Sequence, residues 1–341
     1  MRKLLTSPWS KAPPLWRVAA LFLIPSYGTI ILRYAYIVPP ETTRAGTGPM
    51  VIVRLNGGLA NQMFEYAMGR TVAHRRRTSV RLDFQYLEAD RKRCYSLGAW
   101  NVNATPASNL DYLRLRLAGK WRRMLKRSGP YYDEPYVSEQ SFSFDPDALK
   151  APRNCLLIGY WQSEKYFKEI EPIIRQEFTL RMKPSAKTQD TARAIRASSS
   201  VFLHVRRGDY VAEPETNKVH GVCSMQYYQN AAAHIARAVH HPHFFVFSDE
   251  PPWVRENLKL PFKMTIVDHN RPGDSHAPGR EHEDMWLMTL CRHAILANSS
   301  FSWWGAWLNP ERNRIVIRPK RWAQDTRFEP QDLIPDSWIT M

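Results

Sequence analysis

The sequence predicts an α/β protein with room for two domains. Three observations carry this. Short apolar, β-branched runs of strand length recur along the chain, with helix-like stretches between them. Four of those runs, all in the second half, each stop in a polar cluster. A length of 341 residues, 44% of them hydrophobic, supplies a sizeable core.

The elements follow in order. Val18 to Leu32 is apolar and lies between Arg17 and Arg33. As a helix it would rise ~22 Å, short of a ~30 Å hydrocarbon core. Pro25, Ser26 and Gly28 interrupt it. If Arg33 snorkels, the segment extends through Val38, and Arg2, Lys3, Lys11 and Arg17 hold the N-terminus in the cytoplasm. Residues 1–49 therefore read as an extension. Either it is a weak single anchor ending in a Pro/Gly/Thr linker, or it stands outside the working protein, which would then start at Met50. A cleaved signal peptide fits less well, because no small-residue cleavage site follows.

Val51 to Leu55 reads as a strand, Asn56-Gly57-Gly58 as a tight turn, and Asn61 to His74 as a helix burying Met63, Phe64, Ala67 and Met68. This strand–turn–helix unit resembles a phosphate cradle, short of a full Gly-x-Gly-x-x-Gly. A strand over Ser79 to Asp83 follows. From about residue 90 to 155 regularity falls. There, Leu113 to Arg127 carries Arg114, Arg116, Lys120, Arg122, Arg123, Lys126 and Arg127 with no acid, interleaved with leucines. That pattern suits an amphipathic helix on an anionic membrane surface, or a solvated basic helix capping a domain. Cys155 to Tyr160 reads as a strand and Lys165 to Phe178 as a helix. The polar stretch Lys183 to Ser199 reads as the junction.

The second half opens on Val201 to Val205, a buried strand that runs into Arg206-Arg207-Gly208-Asp209. Phe244 to Phe247 ends in Ser248-Asp249-Glu250. Met264 to Val267 ends in Asp268-His269-Asn270. Ala294 to Ala297 ends in Asn298-Ser299-Ser300-Phe301-Ser302. In an open α/β sheet, ligands sit outside the carboxyl ends of the strands, where these clusters fall. Adjacent guanidiniums there suit a pyrophosphate.

A net charge of +16 implies an anionic partner. No nucleic-acid motif accompanies the charge, so nucleic acid is set aside. Cys94, Cys155, Cys223 and Cys291 stand far apart with no Cys-x-x-Cys pair. Zinc spacing is thus absent, and reduced thiols in a cytosol are the simplest expectation. No metal-ligand cluster appears, so no metal or cofactor is expected.

Six ordered runs now resemble one family. They are Asn56 to Phe64, Gly159 to Phe167, His204 to Tyr210, His220 to Cys223, Phe245 to Asp249, and Asn298 to Trp307 with its Trp303-Trp304-Gly305-Ala306-Trp307 core. The chain resembles glycosyltransferase family 11, the α-1,2-fucosyltransferases, and most of all its bacterial members. The resemblance covers about Met50 to Trp338. It implies a GT-B-like fold, two Rossmann-like domains facing across a cleft. It also implies inverting, metal-independent transfer of L-fucose from GDP-fucose to the 2-hydroxyl of a galactoside. Residues 50–190 would then form the acceptor-side domain and 200–325 the donor domain, with 326–341 packing back.

Roles follow by resemblance. Arg206, or Arg207, binds the β-phosphate. Asp209 fixes the arginine or contacts fucose. His204 touches ribose or phosphate, or is a core histidine. Asp249, Asn298, Ser299, Ser300 and Phe301 complete the donor site, and Asp268 accepts from guanine or caps a helix. Asn61, Gln62 and Trp161 line the fucose and acceptor cleft. Asp209, Glu283 and Asp284 are the candidate bases. Two departures stand out. Ala60 replaces a usual glycine and would be strained if its φ were positive. Glu65 replaces a usual glutamine and would bring a negative charge. Asn298 lies in a glycosylation sequon within the expected donor site, which favours the cytoplasm, at the inner face of a bacterial membrane. Rival readings are an α-1,6-type fucosyltransferase, which shares an arginine pair, and a non-catalytic sugar-nucleotide binder.

Overall fold

The computed structural model describes residues 48–90, 92–124, 135–270, 273, 279–325 and 332–341, apart from the side chains at 118, 119 and 121–124. The apolar segment Val18 to Leu32, the linker as far as residue 47, and the end of the basic run lie outside the described residues.

Two sheets, parallel in every pairing, organise the chain. The first contains β1 (Met50–Arg54), β2 (Ser79–Asp83), β3 (Thr105–Pro106), β4 (Tyr136–Ser138) and β5 (Cys155–Ile158), in the order β3-β2-β1-β5-β4. The second contains β6 (Ser199–Val205), β7 (Pro242–Ser248), β8 (Lys263–Val267), β9 (His293–Ile295), β10 (Val316–Arg318) and β11 (Ile339–Thr340), in the order β11-β10-β9-β6-β7-β8. Each order reverses direction once, between β1 and β5 and between β6 and β9. Such a switch point opens a crevice at the strands' carboxyl ends. The expected strands are therefore present, with ends shifted by a residue or two.

Strand alternation sorts the core into layers. Phe202, Phe245 and Phe247 face a central cluster, whereas Val201, Leu203, Phe244 and Val246 face a second cluster on the sheet's far side. In β1, Val51 and Val53 point to that same central cluster, and Ile52 points away toward Leu115. The central layer holds helix α1 (Leu59–Arg76) and Trp303, Trp304 and Trp307 from the helix Ser300–Trp307. Phe64 sits 4.7 and 4.8 Å from the Trp303 and Trp304 rings, and Phe167 stacks on Trp304 at 5.3 Å. One apolar cluster thus joins both sheets.

Helix α2 (Asn109–Met124) starts earlier than its basic stretch suggests. Ser108 and Asp111 form a reciprocal N-terminal cap: the Ser108 amide donates to Asp111 Oδ2 at 2.9 Å, and the Asp111 amide donates to Ser108 Oγ at 3.3 Å. The polar stretch Lys183 to Ser199, read as the junction, is mostly helix α3 (Ala186–Arg196), capped by Ser185 and burying Ala192 and Ile195. Its few apolar residues fall on one face, which the polar composition hides. The expected helix from Lys165 breaks into two short 3₁₀ turns before Glu171–Glu177, where Pro172 takes an early helical position. Asp332 reaches the first half: its backbone oxygen accepts from Ser163 Oγ at 2.7 Å.

Candidate active site

A cleft of roughly 740 Å³ lies between the two sheets, lined by the loops at both switch points. From the first sheet come the turn after β1 (Asn56, Gly57, Gly58), Asn61 of α1, and Tyr160 and Gln162 after β5. From the second come Arg206 and Asp209 after β6, Ser248 at the end of β7 and Asp249 after it, Asn270 after β8, and Ser299, Ser300 and Phe301 after β9.

Arg206 is the charged centre. Its Nη2 meets Asp209 Oδ1 at 2.6 Å, and its Nη1 meets Asp249 Oδ2 at 3.0 Å. The neighbouring carboxylates keep this guanidinium cationic, although burial opposes that. Asp209 gives its other oxygen to Arg93, at 3.1 Å from Nη2. Gly208 begins the short helix α4 (Gly208–Ala212), and a Cβ there would lie 2.5 Å from Asp249 Oδ2. Glycine lets the loop close on that carboxylate.

His204 is almost fully buried yet borders the cleft. Burial, aided by Arg206, pulls its pKa down to about 3. The imidazole is therefore neutral, and its Nδ1 has no hydrogen-bond partner. An orphaned buried nitrogen at a cleft wall is suited to a ligand contact. Ser299 caps helix α5 (Ser300–Trp307) by accepting from the Phe301 amide at 3.3 Å. This helix starts three residues before the expected Trp303, so Ser300 and Phe301 lie in its first turn, at the positive end of the dipole. Ser300 Oγ donates to Asn61 Oδ1 at 3.1 Å, and Gln162 Nε2 donates to the same oxygen at 3.0 Å. Asn61 thereby ties the facing walls together.

The structure brings Arg206, Asp209, His204, Asp249, Ser299, Ser300, Phe301 and Asn61 to one cleft. It keeps five expected site residues from lining it. Arg207 turns away: its guanidinium lies 3.7 Å over the Trp253 ring and pairs with Glu250 at 3.1 Å. Asp268 is ion-paired to Arg255 at the surface, outside the cleft lining. Asn298 is buried, its amide donating to the backbone oxygens of His220, Gly221 and Trp322. It builds the loop, and its sequon is closed to a glycan in the folded chain. Gln62 is fully buried and pins two loops, donating to Gly57 O and Cys94 O and accepting from the Ser96 amide. Trp161 has φ +53° and is buried, at 5.5 Å from the Tyr166 ring. Its left-handed backbone leaves Tyr160 and Gln162 to line the cleft.

The structure also resolves the two departures. Ala60 is helical and has no positive φ, so alanine is unstrained; its carbonyl accepts from Trp304 Nε1 at 3.0 Å. Glu65 is buried, accepts from the Asn56 amide at 2.9 Å, and has its pKa raised well above the usual range by burial. Of the three candidate bases, Asp209 holds two guanidiniums. Glu283 is tied to Ser185 and Arg280. Asp284 alone of the three combines a place on the cleft with a pKa near neutrality, raised to about 8 by burial and held by an Asn270 amide at 2.7 Å.

Sequence reasoning passes over Lys92, Arg93, Tyr160 and Glu139. Lys92 and Arg93 belong to a short basic run in the stretch that looks irregular. Glu139 accepts from the Tyr160 and Trp161 amides at 2.7 and 3.0 Å, and burial lifts its pKa to about 7. Nothing in its sequence neighbourhood marks that role. No disulfide forms among the four cysteines, and no group of three or more His, Cys, Asp or Glu among the described residues is arranged to hold a metal ion.

A family model described as "Glycosyl transferase family 11" matches residues 130–341. The chain is 31% identical over 298 residues to "Alpha-1,2-colitosyltransferase" of Escherichia coli, covering 85% of this chain and 98% of that one. It is 27% identical over 306 residues to "O-antigen biosynthesis glycosyltransferase WbnK" of Escherichia coli, covering 84% and 99%. A shorter match, 32% identical over 158 residues, links 45% of this chain to 41% of "Galactoside 2-alpha-L-fucosyltransferase SEC1" of Bos taurus. With a family match over more than half its length and a near full-length relative of this identity, the chain belongs to glycosyltransferase family 11.

Proposed function

We propose that this glycosyltransferase moves L-fucose from GDP-fucose to the 2-hydroxyl of a galactoside, with inversion. One observation carries the reading: Arg206 and the first turn of α5 converge on a switch-point crevice that faces a polar second wall. A departing nucleoside diphosphate gains negative charge, and preorganised cations and amides stabilise that charge most where water is excluded. Arg206 supplies the cation, Asp209 and Asp249 hold it in place, and Ser299 to Phe301 supply helix-start donors. His204, neutral, offers a hydrogen bond. Asp284 is the proposed base, because its pKa lies close to working pH. These groups can carry the leaving charge without a divalent ion, so the reaction is expected to survive chelator.

The test is turnover of GDP-fucose against a panel of galactosides, with linkage analysis of the product. Release of GDP without transfer, or a product of another linkage, would sink the reading. One observation favours a second donor: the match to the colitosyltransferase relative covers 85% of this chain and 98% of that one. GDP-colitose belongs in the same panel.

The reading extends to place. No helix among the described residues is long and apolar enough to cross a membrane. We place the enzyme on the anionic inner face of a bacterial membrane, through α2. Leu110, Leu113 and Leu117 are exposed there, beside the basic Arg114 and Arg116. Co-sedimentation of the full chain and of residues 50–341 with anionic and neutral vesicles tests this. Equal binding to both vesicle types would refute it.

A further inference from the structure

We propose that Arg93 is a second diphosphate-binding cation, delivered to the donor site from the opposite wall of the cleft. This rests on the donor reading above and adds a residue to it.

Asp209 is shared. One oxygen holds Arg206, which belongs to the loop after β6, and the other holds Arg93, which belongs to the first half of the chain. A carboxylate flanked by two guanidiniums marks a place where an anion is stabilised from both sides. Arg206 alone is poorly charged for such a role, since it sits between Asp209 and Asp249 and the trio carries a formal charge of −1. Arg93 brings the group to neutrality. Arg206 hydrogen-bonds Asp209 through one terminal nitrogen and meets Asp249 in an ion pair through the other, and the bond to Asp209 engages one nitrogen of Arg93. A guanidinium carries five N–H donors, so Arg93 keeps donors for a phosphate.

The placement of Arg93 is built. Its strap is pinned by Gln62, which holds Cys94 O at 2.8 Å and the Ser96 amide at 2.9 Å. Gln62 also holds Gly57 O at 2.9 Å, so one buried amide sets the glycine turn and the strap together. Arg93 passes over Gly58: a Cβ there would come within 3.9 Å of Nε. Lys92, its neighbour in the chain, lines the same cleft and pairs with Glu213. The ion pair of Lys165 with Asp332 lies outside the cleft lining and serves as the control.

The experiment is calorimetric titration of the full chain with GDP and with GMP. Arg93→Ala is expected to weaken GDP by about 10- to 100-fold and GMP by less than about threefold, because GMP lacks the β-phosphate. Arg93→Lys should fall between, keeping charge and losing the fork. Lys165→Ala should stay within about threefold of wild type for both nucleotides. Equal loss of GDP and GMP in both Arg93 variants would mean that Arg93 only props the walls, and would overturn the proposal. So would unchanged GDP binding. Arg93→Lys keeps the test decisive if the alanine variant fails to fold. A wild-type chain that binds neither nucleotide refutes the donor reading itself.

Discussion

The two walls of the cleft are made differently. The wall on the second sheet works through charge at strand ends: Arg206, Asp209 and Asp249 stand at the tips of β6 and β7. Apart from Asp90, Lys92 and Arg93, the wall on the first sheet works through backbone shape. Its lining residues Asn56, Tyr160 and Gln162 sit on loops that buried acids hold in place from behind, Glu65 under Asn56 and Glu139 under Tyr160. On the proposed reading, the diphosphate, the same for every acceptor, is met by fixed charge. The acceptor sugar, which varies, meets loops that buried groups hold in place.

The contrast can be broken most sharply at Arg206. Arg206→Ala should lower kcat/KM for GDP-fucose by about 10²- to 10³-fold, about 2.7–4 kcal/mol of transition-state stabilisation, in a steady-state assay. Turnover near wild type would remove charge as the principle of that wall. On the other wall, Gly159 has φ +154°, and a Cβ there would lie 2.4 Å from Glu139 Cβ. Gly159→Ala should therefore destabilise the protein by about 3 kcal/mol in urea unfolding and raise the acceptor KM more than the donor KM. An unchanged acceptor KM in a folded variant would mean that the turn does not shape that wall.

The buried acids also predict a pH dependence. Glu139 has its pKa raised to about 7, so the folded state holds its proton more tightly than the unfolded chain. Its stabilisation is full below the ordinary carboxylate range and is lost as pH rises through about 7. Unfolding free energy should drop by on the order of 2–3 kcal/mol from this group between about pH 4 and 8. Glu139→Gln should flatten the slope, and an equally steep slope in that variant would assign it elsewhere. The smallest effect belongs to Arg207. Stacked on Trp253 outside the cleft, it should cost less than about 1 kcal/mol in kcat/KM when replaced by alanine. A loss as large as that of Arg206 would bring it back into the site.

The same contrast explains what the sequence discloses. Strand-end charge is local: four apolar runs, each ending in a polar cluster, mark the donor wall in the sequence itself. Which arginine of the pair enters the cleft is not local. It depends on Trp253 and Glu250, more than forty residues away, which draw Arg207 outward. Asp268 reads as a strand-tip acceptor until Arg255 occupies it. Asn298, Gln62 and Trp161 look like polar or aromatic ligands, and their burial, a tertiary property, makes them scaffolding. Glu65 reads as an ordinary charge, and only its burial, a tertiary property, raises its pKa. Arg93 sits in a stretch without periodicity, so no repeat pattern leads to it.

The apolar layer between the sheets has a consequence for how the molecule comes apart. Phe64 and Phe167, from one half, interleave with Trp303, Trp304 and Trp307, from the other, and the Trp304 indole is fastened to the Ala60 carbonyl. Cutting the chain between the sheets would lay bare that whole aromatic layer on both fragments. Neither half is then a free-standing folding unit. Proteolysis should pass from intact protein to small peptides with no stable half-molecule between, and heat should melt both sheets in one step.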